Sequence, residues 1–566
     1  FPVGVENMVY YTAVDNSDGT PEGRTFLVKM KTAEIIADFI KQWDAARATN
    51  GEVLTGQESA AGAGGGAGSA SAAVSTAPKG TAVHISSDLS TIYGAGDTAS
   101  ARRVDKLESA FTAKFGQAPA YFVRAPGRVN IIGEHVDYHG YGVLPFALNQ
   151  DILLAVGTAD GTTTVSASST DEAYPDASFP IDLEAPVAPV TSPADWVSYL
   201  QCGFKAAFAT AGAGGVAPSK GLRVMVDSVL PAAGGVSSSS ALVVASALAA
   251  VHAYGLGTPM NLELARLTRD AEVAVGTLSG GMDQAACLLG KAGSATHITF
   301  HPHLAGAAVP LPLNAIFLVA DSGVPAAKAE EAATKYNRRV VEGALGVKLV
   351  AMKEGKANWK DLSSMFELQA ALGLASSSPV EAEVFLGSLP PTPVTAAALA
   401  GEEYFNCPLE SLFPAEDTAA HAALAALGDT PLALKDRLSH VLQEAGRVLE
   451  AQKVLTAGGE DTLASLGALM DASHDSLVTK YDASCAELDA LVAAAKGAGA
   501  CGARLVGAGW GGCAVILVQM GSVEAVKTGI KDHYASIGKP ELAERMFTAA
   551  PASGAAVYLP AEEEEL

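Results

Sequence analysis

The sequence predicts an α+β protein, and three observations carry that prediction. From about Ala101 almost to the C-terminus, strand-like and helix-like patterns alternate, as mixed α and β architectures require. Apolar residues make up 49% and charged residues 17% of the 566-residue chain. That is enough to bury a substantial core, yet no apolar run approaches the roughly 20 residues that span a bilayer. Three glycine-rich motifs stand where the chain passes between regular elements, positions that call for close backbone approach.

The elements follow in order. Val9–Val14 is strand-like, 15–19 is turn chemistry, and Phe26, Val28 and Met30 alternate as a second strand would. Ile36, Phe39, Ile40 and Trp43 then recur at helical spacing over about Ala33–Ala46. Such a unit, residues 1–50, is too small to stand alone. From Ser59 to Pro78 every residue is Ala, Gly, Ser, Thr, Val or Pro, so residues 51–98 read as a flexible linker. Ala101–Gly116 is a helix with Val104, Leu107, Phe111 and Phe115 on one face. Leu222–Val226 reads as a strand, Ala241–Tyr254 as an apolar helix and Ala514–Val518 as another strand. Ser376–Leu434, rich in Pro and Ala, reads as a loosely packed part of a second domain, and Glu562–Glu565 as a solvated tail.

The 61 acidic and 37 basic side chains leave a formal charge of −24, which argues against nucleic acid as a partner because phosphate polymers are held by basic patches. Six cysteines without a C-x-x-C pair indicate neither a zinc site nor a disulfide framework. A reducing, cytoplasmic setting follows as an expectation; the sequence begins at Phe1 without a basic-then-apolar leader, so a targeting signal is either absent or lost with a missing N-terminus. A monomer is the default expectation.

The first motif runs from Arg124 to Tyr138 and concentrates Arg128, Asn130, Glu134, His135, Asp137 and Tyr138 in a stretch punctuated by glycines. Side chains of this kind suit a polyhydroxylated ligand, since every sugar hydroxyl both donates and accepts hydrogen bonds. A surface turn would not need so dense a set. The second motif, Gly234-Gly235-Val236-Ser237-Ser238-Ser239-Ser240, follows a strand and opens a helix. Unpaired N–H groups and the positive end of a helix dipole would face an anion there, phosphate being the natural guest. Without Gly-Lys-Ser/Thr it is not a Walker A loop, and taken alone it reads equally as the cap of a core helix. The third motif, Gly507-Ala508-Gly509-Trp510-Gly511-Gly512-Cys513, lets backbone approach backbone or ligand. In isolation a tight turn between core elements is the plainer reading.

Together the motifs resemble the galactokinase branch of the GHMP kinases, the galacto-, homoserine-, mevalonate- and phosphomevalonate-kinase superfamily. The resemblance covers about Ala101–Tyr558 and includes Trp196-Val197-Ser198-Tyr199, Gly280-Gly281-Met282-Asp283-Gln284, Tyr336-Asn337-Arg338-Arg339 and Ser473-His474-x-Ser476-Leu477. It implies a two-domain fold with the active site in the cleft between residues 99–315 and 316–566, and transfer of phosphate from ATP to the anomeric hydroxyl of galactose. The base it implies is Asp283, with Arg128 beside it. It assigns Mg²⁺ to Glu272 and a loop serine, Ser239 before Ser238, and ATP phosphates to Gly234, Gly235 and Ser237–Ser240. It places Glu134, His135, Asp137, Gly281 and Tyr336 on the sugar. Trp196 is a candidate for the adenine pocket, with a core indole as the alternative. N-acetylgalactosamine kinases are similar but tend to carry Phe where Tyr336 stands. Non-catalytic sugar- and ATP-sensing regulators are also similar, but carry deletions beside the phosphate loop, which is undeleted here. Residues 9–47 resemble the closing hairpin and helix of a Ran-binding, pleckstrin-like domain, which would give the extension a protein partner; an accessory extension reads equally.

Overall fold

The computed structural model describes residues 80–560, apart from 191, 193–194, 211, 213, 232–233, 327–331 and 376–377, together with the backbone of two strands nearer the N-terminus. Those two, β1 (Met8–Asp15) and β2 (Glu22–Lys29), pair antiparallel with Met8 opposite Lys29, as the alternation predicts. The helical pattern at 33–46, the Ala/Gly/Ser stretch at 59–78 and the glutamates at 562–565 lie outside the described residues.

The chain docks earlier than composition suggests. Residues 80–98 were expected to continue the linker, yet β3 (His84–Ser86) pairs parallel with β15 (Ala556–Tyr558), and a short helix, Leu89–Tyr93, follows. Asn261 grips Thr81 through both backbone and side chain, at 2.9 and 3.0 Å. Val83 and Ile92 are buried. Two apolar side chains and a strand pairing offset the ordering entropy that the preceding Ala/Gly/Ser run cannot.

A seven-stranded sheet forms the first layer, in the order β3-β15-β4-β5-β8-β6-β7. Its members are β4 (Tyr121–Asn130), β5 (Pro145–Ala159), β6 (Thr164–Ser169), β7 (Ala177–Pro180) and β8 (Gly221–Ser228). Central β4 is buried along its whole length. Helix α1 (Thr98–Phe115) covers part of this sheet with Val104, Leu107 and Phe111, and Asp97 caps it by accepting from the amides of Ala99 and Ser100. Each such side chain contributes about 1.5–3 kcal/mol of burial. On the sheet pack α3 (Ser238–Tyr254) and α5 (Met282–Leu289), while α2 (Val197–Phe208) and α4 (Asn261–Glu272) pack against α3 and each other. Helix α3 buries residues on every side, as its apolar, alanine-rich sequence requires.

A hairpin of β9 (Ser294–Thr299) and β10 (Ala305–Pro310) leads to an antiparallel four-stranded sheet ordered β12-β13-β11-β14. These strands are β11 (Ala315–Asp321), β12 (Gly502–Leu505), β13 (Cys513–Gln519) and β14 (Phe547–Ala549). Around it lie α6 (Tyr336–Lys353), α7 (Leu434–Ala457), α8 (Thr462–Ser476), α9 (Ala486–Gly497) and α10 (Val523–Ser536). One apolar cluster runs through both sheets; Phe146 of β5 meets Phe317 of β11 with ring centroids 5.1 Å apart. The last strand, β15, returns to the first sheet beside β4. The segment expected to be loosely packed is not so: Leu386, Leu399, Leu409, Leu412 and Leu432 are all buried in the common core. Leucines spaced through the Pro/Ala-rich sequence supply the burial that the short helices need.

Candidate active site

The register of β4 against β5 shifts between Pro126 and Arg128, and such a bulge re-aims the side chain that follows it. The Arg128 Nε donates to Asp283 Oδ1 at 2.8 Å, and Nη2 lies 2.7 Å from the same oxygen. Its Nη1 donates to the Gly235 carbonyl at 2.7 Å, and its backbone N–H to Val236 O at 3.1 Å. One arginine thus joins the first motif, the phosphate-type loop and Asp283. Burial opposes its charge, but Asp283 and then Glu134 outweigh that and hold the guanidinium above its ordinary pKa. Asp283 stands in the first turn of α5, after Gly281 in a left-handed conformation, where helix amides and dipole favour a carboxylate.

The turn after β4 folds back onto α5. Asp137 Oδ2 accepts from the Met282 amide at 3.2 Å, bringing the second acid of the turn beside the helix that carries Asp283. His135 has φ +62°, unusual for a side chain without glycine's freedom. Its Nε2 faces the Ala508 carbonyl at 3.0 Å and its Nδ1 the Tyr138 hydroxyl at 2.8 Å. A carbonyl only accepts, so Nε2 carries the proton and Nδ1 accepts from Tyr138, whose oxygen in turn takes the Tyr481 hydroxyl at 2.6 Å. Tyr336 completes this wall, its ring 5.5 Å from His135 and 5.7 Å from Tyr138. Burial pushes the Tyr138 and Tyr336 phenols well up, so both stay neutral.

Glu134 is buried, and its Oε1 accepts from the Gly507 amide at 2.9 Å. Burial raises its pKa against the opposing pull of Arg504 and Arg128. Gly507 is required there: a Cβ at this position, φ +82°, would sit 2.4 Å from the Gly235 carbonyl oxygen. The third motif is therefore the backbone cradle of the second. Cys513 N–H donates to Gly234 O at 3.1 Å, so the carbonyls of Gly234, Gly235 and Val236 are all turned into protein.

Ser237 has φ +65° and precedes α3, whose first turn holds Ser238 and Ser239, both half-buried, and buried Ser240. Glu272, the last residue of α4, is buried and accepts from Gln284 Nε2 at 2.5 Å; the same nitrogen lies 3.4 Å from Ser240 Oγ. Gln284 thus ties Glu272 to the start of α3. The Ser237 hydroxyl is buried with no hydrogen-bond partner among the described residues. These neighbours are oxygen donors of the kind Mg²⁺ takes, along with a helix N-terminus suited to phosphate. Trp196, at the start of α2, is 5% exposed, donates from Nε1 to Pro175 O at 3.0 Å and meets Tyr174 edge-on. That is the core environment of its alternative reading.

Residues beyond the sequence-predicted set complete the site. Arg504, Tyr481, His440 and Glu444 are fully buried around the turn. Arg339 donates to Tyr481 O at 2.7 Å and to Asp482 Oδ2 at 2.6 Å, and lies over the Trp510 ring. His440 and Glu444 stand at i,i+4 spacing among the buried apolar residues of α7, a pattern that does not by itself point to the turn.

Residues 109–158 match the galactokinase galactose-binding signature, 198–291 the GHMP kinases N terminal domain and 459–536 the GHMP kinases C terminal domain. The galactokinase of Saccharomyces cerevisiae is 32% identical over 509 residues, spanning 80% of this chain and 94% of that protein. That of Dictyostelium discoideum is 31% identical, spanning 77% and 88%. The crystal structure of Lactococcus lactis galactokinase complexed with galactose superimposes with a TM-score of 0.59 at 25% identity, covering 80% of this chain and 99% of that one.

Proposed function

Because the chain belongs to the galactokinase family of the GHMP kinases, we propose that its cleft transfers the γ-phosphoryl group of ATP to the anomeric hydroxyl of galactose, giving galactose 1-phosphate and ADP. The carrying observation is the Arg128–Asp283 pair, 2.7 Å apart, whose arginine also holds the Gly235 carbonyl of the loop that opens α3. A carboxylate and a cation thus stand where a sugar-binding turn and a phosphate loop meet.

Asp283 is the proton acceptor. An aspartate, with a reference pKa of about 3.9, is too weak a base to generate a free sugar alkoxide. The proton passes to it as the new oxygen–phosphorus bond forms and the bond to the bridging oxygen of ADP breaks, which suits a loose transition state. Arg128 stabilises the charge spreading over the phosphoryl oxygens and keeps Asp283 ionised. The loop of Gly234, Gly235 and Ser237–Ser240 would cradle the phosphates, with the amides after Gly235 facing them. Ser239 and Glu272 would hold Mg²⁺, which supplies charge neutralisation on the phosphate oxygens. Glu134, His135, Asp137, Gly281 and Tyr336 bind the sugar. With both His135 nitrogens engaged by protein, its contribution is shape, and Asp137 and Tyr336 are the polar contacts.

Sugar choice is tested by measuring ATP consumption side by side with galactose, N-acetylgalactosamine, glucose and arabinose. Galactose is expected to exceed each of the others in kcat/KM by about tenfold or more, the discrimination that a few positioned polar contacts provide. Comparable values for all four would contradict the assigned pocket.

A further inference from the structure

The sugar-facing turn is gripped from behind by helix α7. Three residues of α7 at successive turns, His440, Glu444 and Val448, face it. Glu444 Oε1 accepts from the Gly133 amide at 2.8 Å and from Ser473 Oγ at 2.7 Å, while Oε2 takes Arg447 Nε at 2.6 Å. His440 Nε2 lies 3.1 Å from the Glu134 carbonyl and Nδ1 2.8 Å from Ser476 Oγ. Val448 closes the contact: a Cβ on Gly133, φ +109°, would lie 2.9 Å from Val448 Cγ2.

Both polar residues are in the ionisation state the grip needs. The Glu134 carbonyl only accepts, so His440 is protonated on Nε2 and takes the Ser476 hydroxyl on Nδ1. Burial pushes its pKa down to about 4, which keeps it neutral. Glu444 resists burial: Arg447, then Arg504, hold its carboxyl at about 2, so a full charge faces the Gly133 amide. The N–H of Gly133 and the C=O of Glu134 are thus both fixed, immediately before His135 turns into its left-handed conformation. His440 also packs against Tyr481, ring centroids 4.5 Å apart, and Tyr481 reaches His135 through Tyr138.

We propose that His440 and Glu444 are positioning residues that hold the Gly133–Glu134–His135 backbone in its sugar-binding conformation, so that a helix of the second domain sets galactose affinity without touching the sugar. The inference rests on the reading of this turn as the galactose site. Among the described residues neither side chain hydrogen-bonds to the phosphate-type loop, so their effect is expected to fall on the sugar and spare the nucleotide.

The test pairs His440→Ala with His440→Gln, whose amide restores a donor near the Nε2 position. Galactose binding is measured by calorimetry, KM for both substrates by turnover, and exchange of the 133–135 amides by hydrogen–deuterium exchange. For His440→Ala, galactose Kd and KM are expected to rise about tenfold and the turn to exchange correspondingly faster, the size of one lost hydrogen bond. The KM for ATP should stay within about twofold, and His440→Gln should recover most of the loss. If His440→Ala unfolds, Ser476→Ala, which removes only the Nδ1 partner, carries the same comparison. Unchanged galactose affinity and exchange, or an equal rise in both KM values, overturns the proposal. Failure of the unmutated protein to bind galactose would instead overturn the reading of the site, and the exchange measurement still decides whether α7 holds the turn.

Discussion

Asp283→Asn is expected to lower kcat with galactose by about 10²- to 10⁴-fold, the usual contribution of a positioned general base. The substitution keeps the shape of the side chain and leaves an oxygen to accept from Arg128, which approaches Asp283 Oδ1 with both Nε and Nη2. It removes the capacity to take a proton. Because Asp283 is buried beside the loop rather than part of the core, the variant should fold, and steady-state KM for ATP should change little. A kcat within a few-fold of the unmutated enzyme would remove Asp283 from the role of base.

Loss of Arg128 is expected to be comparably severe. Its guanidinium satisfies Asp283 and the Gly235 carbonyl at once, so Arg128→Met removes transition-state charge stabilisation, worth about 10²- to 10³-fold in kcat. It also strands Asp283 in a buried site without its cation. A carboxylate so placed is harder to ionise, and the acidic limb of the pH–rate profile should move to higher pH, since the base acts only when deprotonated. Arg128→Lys should recover little, because a point charge cannot span both partners in the fork geometry that arginine uses. Wild-type kcat in Arg128→Met would reduce this contact to a structural ion pair.

What could be read from the sequence and what could not divide along physical lines. Arg128, Glu134, Asp137 and the serine loop were legible because their chemistry is concentrated in short, glycine-bordered strings whose residue types have few other uses together. Helix α1 was legible from its apolar face. The clamp on the sugar turn was not: His440 and Glu444 lie some 300 residues further along the chain than Gly133 and Glu134, and only packing brings them there. Arg504 is hidden for the same reason, as a lone charge in the apolar strand β12. Trp196 is the converse case, an aromatic whose type suits a nucleotide and whose 5% exposure equally suits a core indole. The docking of residues 84–86 is not legible in the sequence because strand pairing between β3 and β15 depends on a partner at the far end of the chain. The Pro/Ala-rich segment after residue 377 was misjudged because spaced leucines bury well even without long helices.

The excess negative charge of the chain is compatible with a triphosphate ligand once potential is considered locally. Arg128 and the loop amides act within one cleft, where fixed charges and dipoles outweigh a distant net charge screened over about 10 Å.

The central claim is that this cleft phosphorylates galactose at its anomeric oxygen, and the product's structure tests it most directly. Purified protein with galactose and Mg²⁺-ATP should convert the sugar stoichiometrically with ADP into galactose 1-phosphate, recognised in coupled ³¹P and ¹H NMR spectra by phosphorus coupling to the anomeric proton. Phosphate on any other hydroxyl, or ADP formed without a phosphorylated sugar, would contradict the arrangement of Asp283, Arg128 and the turn from Gly133 to Tyr138 described above.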